Sequence, residues 1–236
     1  MKILALITAR GGSKRLPGKN IRIFGGKPLI VWSIDIAKDI PEICDILVSS
    51  DDPAIAEVAG NAGAMVPWLR PAELASDEAS SVDVAVHALD WYEQMHGPID
   101  GLLLLQPTSP FRSRETLLRG MALFNQYRYR SVVGVSSAQS HPMWCFRVDG
   151  NSMCRFMDSG KDWPRSQDLP PAYVVNGGFY LIAPRKLRDL QSFYSDDMVP
   201  LVVDEPKESI DIDTDWDWKM AEAALIDNSV DDARGL

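Results

Sequence analysis

The sequence predicts an α/β fold in which helices cover both faces of a mostly parallel β-sheet. Four short apolar runs have the composition of strands buried on both faces: Ile3–Thr8, Ile46–Ser49, Leu102–Leu105 and Val132–Val135. The stretches between these runs have helical periodicity: Leu29–Lys38, Pro53–Ala62, Val82–Met95 and Thr116–Tyr127. Strand–helix alternation of this kind is typical of parallel sheets, whose ligands bind at the carboxyl ends of the strands.

The alternation stops at residues 137–172, which we interpret as an inserted arm. This segment contains several aromatic residues, including Trp144, Phe156 and Trp163, and a turn-like sequence at Val148–Ser152. It is too long and too apolar to be a linker. The aromatic side chains therefore need a partner surface, which is either a second subunit or the chain's own domain. A strand, a helix and a strand are predicted after the arm, at Tyr173–Ile182, Arg185–Gln191 and Pro200–Val203.

Length and composition predict one domain over residues 1–236. The net charge of −9 disfavours nucleic acid and anionic membranes as partners. The apolar runs are too short to span a bilayer, and the N-terminus has no signal-peptide pattern. The three cysteines are odd in number and lack metal-ligand spacing. These features predict a cytoplasmic protein without zinc or structural disulfides.

The loop after the first predicted strand, TARGGSKRLPGKN at residues 8–20, is strongly cationic. It is not a P-loop, because five residues separate Gly12 from Gly18 and Asn20 follows Lys19. Seven cations and no Asp or Glu precede Asp35. These cations are Lys2, Arg10, Lys14, Arg15, Lys19, Arg22 and Lys27. Glycines beside the charges, such as Gly12, let a ligand approach the backbone. The pattern predicts a small polyanion as ligand, although a solvated loop remains the alternative.

The segment SIDIDTDWDW, residues 209–218, predicts a metal site. As a strand it would place Asp211 and Asp213 on one face, where two carboxylates can share a hard cation such as Mg²⁺. Thr214 or Asp215 would cap the following helix, and Asp217 would lie in its first turn. In the alternative interpretation all four aspartates only begin that helix. Together, the cationic loop and the two carboxylates predict a Mg²⁺-bound nucleoside triphosphate.

Seven segments in the same order make the chain resemble the acylneuraminate cytidylyltransferases, the family typified by CMP-sialic acid synthetase. The segments are ITARGGSKRLPGKN, GGKPLI, VSSDD, LRPAELASDEASS, LLQPTSPFR, NGGFYLI and SIDIDTD. The resemblance covers nearly the whole chain. It implies a Rossmann-like three-layer nucleotidyltransferase fold and a homodimer that exchanges its arm. It also implies an enzyme in which the anomeric hydroxyl of a nonulosonic acid attacks the α-phosphate of CTP, releasing pyrophosphate and forming a CMP-sugar.

The resemblance also implies roles for individual residues. Arg10, Lys14 and Lys19 would hold the triphosphate, and Asp211 and Asp213 would hold Mg²⁺. The remaining roles would be cytidine binding by Asn20 and Arg70, phosphate binding by Ser81, sugar-acid binding by Gln106, and entry of Arg165 into the partner's site. Two of these assignments have plain structural alternatives. In these alternatives Ser81, with Ser80, only begins a helix, and Gln106 only satisfies backbone groups at a strand end.

Two departures from the family pattern concern the sugar. Members that act on N-acetylneuraminic acid often have a Lys where this chain has Trp144, and an Arg where it has Val174. Those cations would help to neutralise the sugar carboxylate or the pyrophosphate. We therefore expect Trp144 to contact a sugar with a less polar side chain, such as legionaminic acid.

Three alternative functions remain open at this point. A CMP-Kdo synthetase shares the RLPGK loop, but its SGT-E signature would fall at residues 77–80, which read DEAS here. A nucleotidyltransferase with another base is the second alternative. The third is a non-catalytic homologue that binds nucleotide, which would be expected to lack a metal or phosphate residue.

Overall fold

A computed structural model describes residues 1–76, 78–157 and 165–233 of the chain. The strands are β1 Ile3–Thr8, β2 Ile23–Phe24, β3 Lys27–Pro28, β4 Ile43–Ser49, β5 Gly101–Leu104, β6 Val132–Ser137, β7 Phe146–Asp149, β8 Ser152–Arg155, β9 Tyr173–Ile182 and β10 Val199–Val202. The α-helices are α1 Leu29–Ala37, α2 Pro53–Asn61, α3 Ser81–His96, α4 Arg114–Gln126, α5 Pro184–Leu190 and α6 Asp215–Ala233.

The central sheet has six strands in the order β10-β6-β9-β5-β1-β4. Strand β1 pairs in parallel with both β4 and β5, and β10 pairs in parallel with β6. Strand β9 is antiparallel to both of its neighbours, β5 and β6. The mostly parallel α/β fold is therefore confirmed. Because β9 runs backwards, its first residues lie at the same edge of the sheet as the carboxyl ends of the other strands.

Two apolar layers cover the sheet, one on each face. On one face Ile34 of α1, Ile55 of α2 and Phe124 of α4 pack against alternate residues of the strands. On the other face Leu89 of α3 and Leu187 of α5 do the same. Helices α1 to α5 agree with the sequence prediction to within two residues at each end. Alternate strand residues are thus buried against the helices of opposite faces, which produces the three layers that the sequence predicted.

A third apolar cluster fixes the cationic loop to the C-terminal helix. Leu16 of the loop, Phe24, Ile212 and Trp218 of α6 are all buried together. The rings of Phe24 and Trp218 meet edge to face with 5.3 Å between their centroids. This cluster brings the segment after β1 next to residues 210–214, although they are about 200 positions apart.

The arm contains a β-hairpin in which Phe146–Asp149 pairs antiparallel with Ser152–Arg155. Gly150 in the turn has φ of +56°, a conformation that glycine adopts without strain. Val148, Met153 and Phe156 expose large apolar surfaces. The hairpin agrees with the predicted turn, while Trp163 lies outside the described residues. The exchange of the arm between subunits stays a prediction.

In the described part of the chain, each helix is either too short or too polar to cross a bilayer.

Candidate active site

A cleft with three connected compartments follows the carboxyl edge of the sheet. The central compartment, of about 410 Å³, lies along the cationic loop. The Arg70 compartment, of about 290 Å³, shares Thr8 and Arg10 with it. The Asp211 compartment, of about 580 Å³, shares Gln106 with the central one. A ligand with a base, a chain of phosphates and a second polar group can therefore lie along one continuous surface.

The central compartment brings together most of the residues predicted from the sequence. Its lining residues are Thr8, Arg10, Ser13, Lys14, Arg15, Lys19, Asn20, Gln106, Pro107, Thr108 and Asp213. Four of these are cations and only one is an acid, so the surface favours a polyanion. Asn20 is buried in the loop, where its Nδ2 donates to the carbonyl of Arg10 over 3.0 Å. Asn20 thus holds the conformation of the loop as well as facing the compartment.

Gly11, rather than Gly12, is the glycine of this loop that packs closely against other residues of the protein. The Gly11 amide donates to Oδ1 of Asp51 over 3.0 Å, and a Cβ at Gly11 would lie 2.6 Å from Oδ2 of Asp52. A Cβ at Gly12 would have no neighbouring atom within 4 Å. The packing of the loop therefore requires glycine at position 11 and not at position 12. The predicted contact between Gly12 and the nucleotide stays a prediction.

Lys19 connects the loop to the acidic segment. Its Nζ donates to the carbonyl of Ile212 over 2.7 Å and to Oδ1 of Asp213 over 2.9 Å. The preceding Gly18 has φ of +66°, which directs the chain into the short helical turn that contains Lys19. Arg15 also contacts Asp213, with 3.2 Å between Nη1 and Oδ2. The carboxylate of Asp213 is therefore compensated by two cations of the loop.

The acidic segment is irregular, so the predicted strand at residues 210–213 is wrong. Ile212 instead donates its amide to the carbonyl of Thr108 over 2.8 Å and buries its side chain in the third cluster. Asp211 and Asp213 each line the cleft, in neighbouring compartments. The alternation nevertheless predicted correctly that both aspartates face the same side, the cleft, and that Ile212 faces the core. An extended segment alternates its side chains even without a sheet partner.

The helix-start interpretation is confirmed for Thr214 and Asp217. The Asp217 amide donates to Oγ1 of Thr214 over 3.2 Å, and the Thr214 amide donates to Oδ2 of Asp217 over 2.7 Å. This reciprocal pair is a capping box at the first turn of α6. Asp215 is exposed near Arg22, with 3.5 Å between Oδ1 and Nη1. The four aspartates therefore do not share one role.

The carboxylate of Asp211 fits a divalent cation. Burial raises its pKa, the negative charges of Asp213 and Asp217 raise it further, and Thr108 and Lys19 oppose them. A cation near Asp211 would relieve this repulsion. Among the described residues, no group of three or more Asp, Glu, His or Cys side chains forms a metal site. Two carboxylates suffice for Mg²⁺ only if phosphate oxygens and water complete its coordination.

The Arg70 compartment has a rigid, cationic wall. Arg70 is buried and donates from Nε to Oγ of Ser49 over 3.0 Å and from Nη2 to the Ser49 carbonyl. Burial lowers its pKa, whereas Asp51 opposes and Arg10 reinforces that shift. Ser81 lines the same compartment as the first residue of α3. Ser80 is the N-cap of α3 and accepts from the Asp83 amide over 3.0 Å, so the capping interpretation holds for Ser80.

The Asp211 compartment lies between Gln106 and the start of β9. Its lining residues include Gln106, Ser136, Val174, Asn176, Gly177, Tyr194 and Asp211, and no Lys or Arg is among the described ones. Gly177 has φ of +74°, and a Cβ there would lie 3.0 Å from Oε1 of Gln106. The side chain of Gln106 thus faces the compartment, while its carbonyl accepts from Arg112. The interpretation of Gln106 as only a strand-end residue is therefore incomplete.

Two predicted site residues lie away from the compartments described above. Arg165 is exposed and contacts Asp168, with 2.8 Å between Nε and Oδ2. Trp144 lies in a short helical turn at the base of the arm and is 39% exposed. Neither residue is among those lining the three compartments. Their predicted roles depend on a second subunit or on movement of the arm.

Sequence reasoning missed several residues that line or support the cleft. Arg15 was counted as a cation but given no role, and Gly11, Asn176, Gly177 and Tyr194 were not selected. The GG pairs at 11–12 and 177–178 were the available signal. Which glycine of a pair approaches another side chain depends on tertiary contacts, so the sequence alone does not separate them.

Comparisons with known proteins identify the family of the chain. The sequence model of a family described as Cytidylyltransferase matches residues 4–139. The chain is 40% identical to CMP-N,N'-diacetyllegionaminic acid synthase of Legionella pneumophila over 95% of this chain and 97% of that protein. It is 35% identical to pseudaminic acid cytidylyltransferase of Campylobacter jejuni over 76% of this chain and 78% of that protein.

A solved structure has the same fold. This structure, of CMP:2-keto-3-deoxy-manno-octonic acid synthetase complexed with CTP, has a TM-score of 0.70 and 17% identity, with 97% of this chain and 100% of that chain covered. At this identity the likeness concerns the fold alone. The family match and the 40% identical relative carry the classification further. The chain belongs to the cytidylyltransferase family and is a nucleotidyltransferase enzyme.

Proposed function

We propose that this enzyme transfers CMP from CTP to the anomeric hydroxyl of a nonulosonic acid. The hydroxyl oxygen forms a bond to the α-phosphorus of CTP, the bond from that phosphorus to the bridging oxygen breaks, and pyrophosphate leaves. The proton of the hydroxyl passes to solvent. The observation that carries the proposal is the continuous cleft, in which a cationic loop joins the Arg70 compartment to the Asp211 compartment.

Each compartment has a role in this reaction. Arg70 and Ser81 lie where the cytidine of CTP and its nearby phosphate would bind, with Asn20 ordering the adjoining loop. Arg10, Lys14 and Lys19 face the triphosphate and neutralise the charge that develops on pyrophosphate. Positioning and charge neutralisation are the main requirements of transfer at phosphorus. Gln106 lies at the junction, where the sugar acid would meet the α-phosphate.

Mg²⁺ is the proposed metal, held by Asp211 and Asp213. Bound there, it would neutralise phosphate oxygens and polarise the bond to the leaving group. Asp213 contacts Arg15 and Lys19 in the structure, so a metal held by Asp213 would leave these two cations available to contact phosphate. The two carboxylates are oxygen ligands of the kind that Mg²⁺ prefers.

A legionaminic-type sugar is the proposed acceptor. The most similar relative reported above is named for N,N'-diacetyllegionaminic acid, and the Asp211 compartment has Val174 where sialic acid enzymes often have Arg. A sugar acid with few hydroxyl groups suits a wall that contains Val174 and Tyr194. CMP-Kdo synthesis is the second candidate, supported by the RLPGK loop and by the fold similarity but not by the residues DEAS at 77–80.

The proposed assembly is a homodimer formed through the arm at residues 137–172, in the cytoplasm. The exposed apolar side chains of the hairpin, Val148, Met153 and Phe156, support a protein partner for the arm. The three cysteines are free thiols, which suits a reducing compartment.

Pyrophosphate release tests the reaction. Purified protein is incubated with Mg²⁺ and CTP, and with legionaminic, pseudaminic, N-acetylneuraminic or Kdo acid in parallel. We expect fastest release with the legionaminic acid and no release with ATP, GTP or UTP. The Lys19→Ala variant is the inactive control. Fastest release with Kdo would replace the proposed acceptor, and silence with every sugar despite CTP binding would contradict the proposed reaction.

A further inference from the structure

Arg112 is a buried cation that the reaction described above does not use. It ends the segment Gln106–Arg112 that follows β5, and it is only 5% exposed. Its guanidinium donates from Nε to the carbonyl of Gly178, from Nη2 to the carbonyl of Gln106, and from Nη1 to Oγ of Ser33 over 2.9 Å. None of these three acceptors is a carboxylate.

The position of this charge relates it to the Asp211 compartment. Gln106 forms one side of that compartment, and Gly178 follows Asn176 and Gly177 on the other. Arg112 therefore connects the two sides of the compartment through its hydrogen bonds to Gln106 and Gly178. Burial is the main reason why the pKa of Arg112 is lowered to about 9. The negative charges of the nearby Asp211 and Glu208 oppose this shift. The guanidinium thus remains charged at neutral pH and compensates these two acids.

A buried guanidinium is costly unless its donors are satisfied. Arg112 meets this condition with oxygen acceptors from three different segments, and a planar group with donors in fixed directions is needed to reach all three. A lysine at the same place would keep the charge but would direct its donors from a single nitrogen. Shape and charge can therefore be separated experimentally.

We propose that Arg112 is a positioning residue that sets the width of the acceptor-sugar compartment. It does so by holding the backbone of Gln106 against that of Gly178, which fixes the Gln106 side chain beside Gly177. This role rests on the proposed function, since the compartment is assigned to the sugar acid there. Arg112 does not touch the reacting atoms itself.

The alternative is that Arg112 only stabilises the core. Arg114 provides a matched control, because it also donates to two backbone carbonyls, those of Lys38 and Asp39, but at a site outside the Asp211 compartment. A purely structural arginine would lower the unfolding temperature and leave the KM values of the remaining folded enzyme unchanged. A positioning residue would change the KM for one substrate selectively.

The test compares Arg112→Lys and Arg112→Met with Arg114→Lys and Arg114→Met. In Arg112→Lys we expect the KM for the sugar acid to rise about tenfold and the KM for CTP to change less than about twofold, because losing one buried hydrogen bond costs roughly that factor. Amide hydrogen exchange without substrate is measured in parallel. Peptides that cover 105–109 and 176–178 should exchange faster in both Arg112 variants and not in the Arg114 variants.

Two results would overturn this role. One is an equal change in both KM values, or no change in either, for folded Arg112→Lys. The other is unchanged hydrogen exchange at 105–109 and 176–178. Hydrogen exchange needs no turnover, so it judges Arg112 even if the wild-type protein releases no pyrophosphate, a result that would count against the proposed function. If Arg112→Met does not fold, Arg112→Lys decides.

Discussion

At the scale of single residues, Asp211 and Asp213 differ more than their spacing suggests. Asp213 contacts Lys19 and Arg15, whereas burial and neighbouring acids raise the pKa of Asp211. The two carboxylates therefore lie in different electrostatic environments, and a cation near Asp211 would offset the repulsion from Asp213 and Asp217. A raised carboxyl pKa of this kind is typical of functional sites rather than of stabilising ion pairs.

Replacement of Asp211 by asparagine should separate activity from stability. We expect Asp211→Asn to lower Mg²⁺-dependent pyrophosphate release by at least about 100-fold, since the amide cannot supply the negative charge that a metal ligand needs. The unfolding temperature should change little, because losing a charge that burial disfavours offsets losing a charge that helps to compensate Arg112. Asp215→Asn, which changes an exposed carboxylate of the same segment, is the control. Activity of Asp211→Asn within a few-fold of wild type would contradict the metal role.

Alanine at Gly11 and at Gly12 should have different effects on the loop. A Cβ at Gly11 would lie 2.6 Å from Oδ2 of Asp52, so Gly11→Ala should displace the loop and raise the KM for CTP about tenfold or more. Gly12→Ala meets no atom within 4 Å and should change the KM by less than about threefold if the nucleotide does not touch that Cα. Steady-state kinetics with CTP varied checks both. A larger effect at Gly12 would instead support the predicted nucleotide contact there.

Charge and spacing identified much of the site but not its supporting residues. Arg10, Lys14, Lys19, Asp211 and Asp213 were predicted and do line the cleft. Arg112 was visible in the sequence only as another cation. Its burial against two backbone carbonyls depends on where β9 lies, and β9 follows it by about 60 residues.

At the scale of elements, periodicity predicted the helices well and the strand directions less well. Strand β4 begins at Ile43, three residues before the predicted start. The prediction began too late because the charged Asp45 interrupts the apolar run in the sequence. The antiparallel direction of β9 was not predicted, since apolar composition does not reveal direction. Residues 210–213 alternate like a strand but bond to a loop carbonyl instead.

Two helical glycines, one packed against β9 and one exposed, should respond in opposite ways to alanine substitution. Gly120 of α4 approaches the buried ring of Phe179, and a Cβ there would lie 2.3 Å from Cζ. Gly120→Ala should therefore destabilise the protein by about 2 kcal/mol, because the ring has no space to move. Gly60 of α2 is exposed, and a Cβ there would have no neighbour within 4 Å.

Gly60→Ala should stabilise the protein by about 0.5–1 kcal/mol, because alanine loses less conformational entropy in a helix. Urea unfolding followed by circular dichroism measures both changes. If both variants were destabilised by a similar amount, the expectation for Gly60, which rests on the free space around it, would be wrong.

At the scale of the whole molecule, the order of strands places the site. Strands β1, β4 and β5 end at one edge of the sheet, and β9 begins there. Four segments that are distant in sequence therefore meet in one cleft. The sequence predicted that loops after strands would carry the site. It did not predict which loops are neighbours, because strand order depends on long-range pairing.

The arm leads to a prediction about two subunits. Arg165 contacts Asp168 on the exposed arm, away from the residues that line the cleft of its own chain. If the arm enters the partner's cleft, Arg165→Ala and Lys19→Ala damage different halves of the same active site. Each variant alone should then lose most of its activity, by about 100-fold.

Mixed dimers of these two variants decide between exchange and self-contained sites. Unfolding and refolding both chains together at equal concentration should restore about one quarter of the wild-type rate, because half of the dimers are mixed and each mixed dimer has one intact site. Light scattering first checks that each variant forms a dimer. Lys19→Ala mixed with Asp213→Ala is the matched control, since both residues belong to the same chain's cleft and no mixed dimer regains an intact site. No rescue in the test mixture would show that Arg165 does not serve the partner's site, and equal rescue in both mixtures would show that the recovery does not come from exchange of the arm.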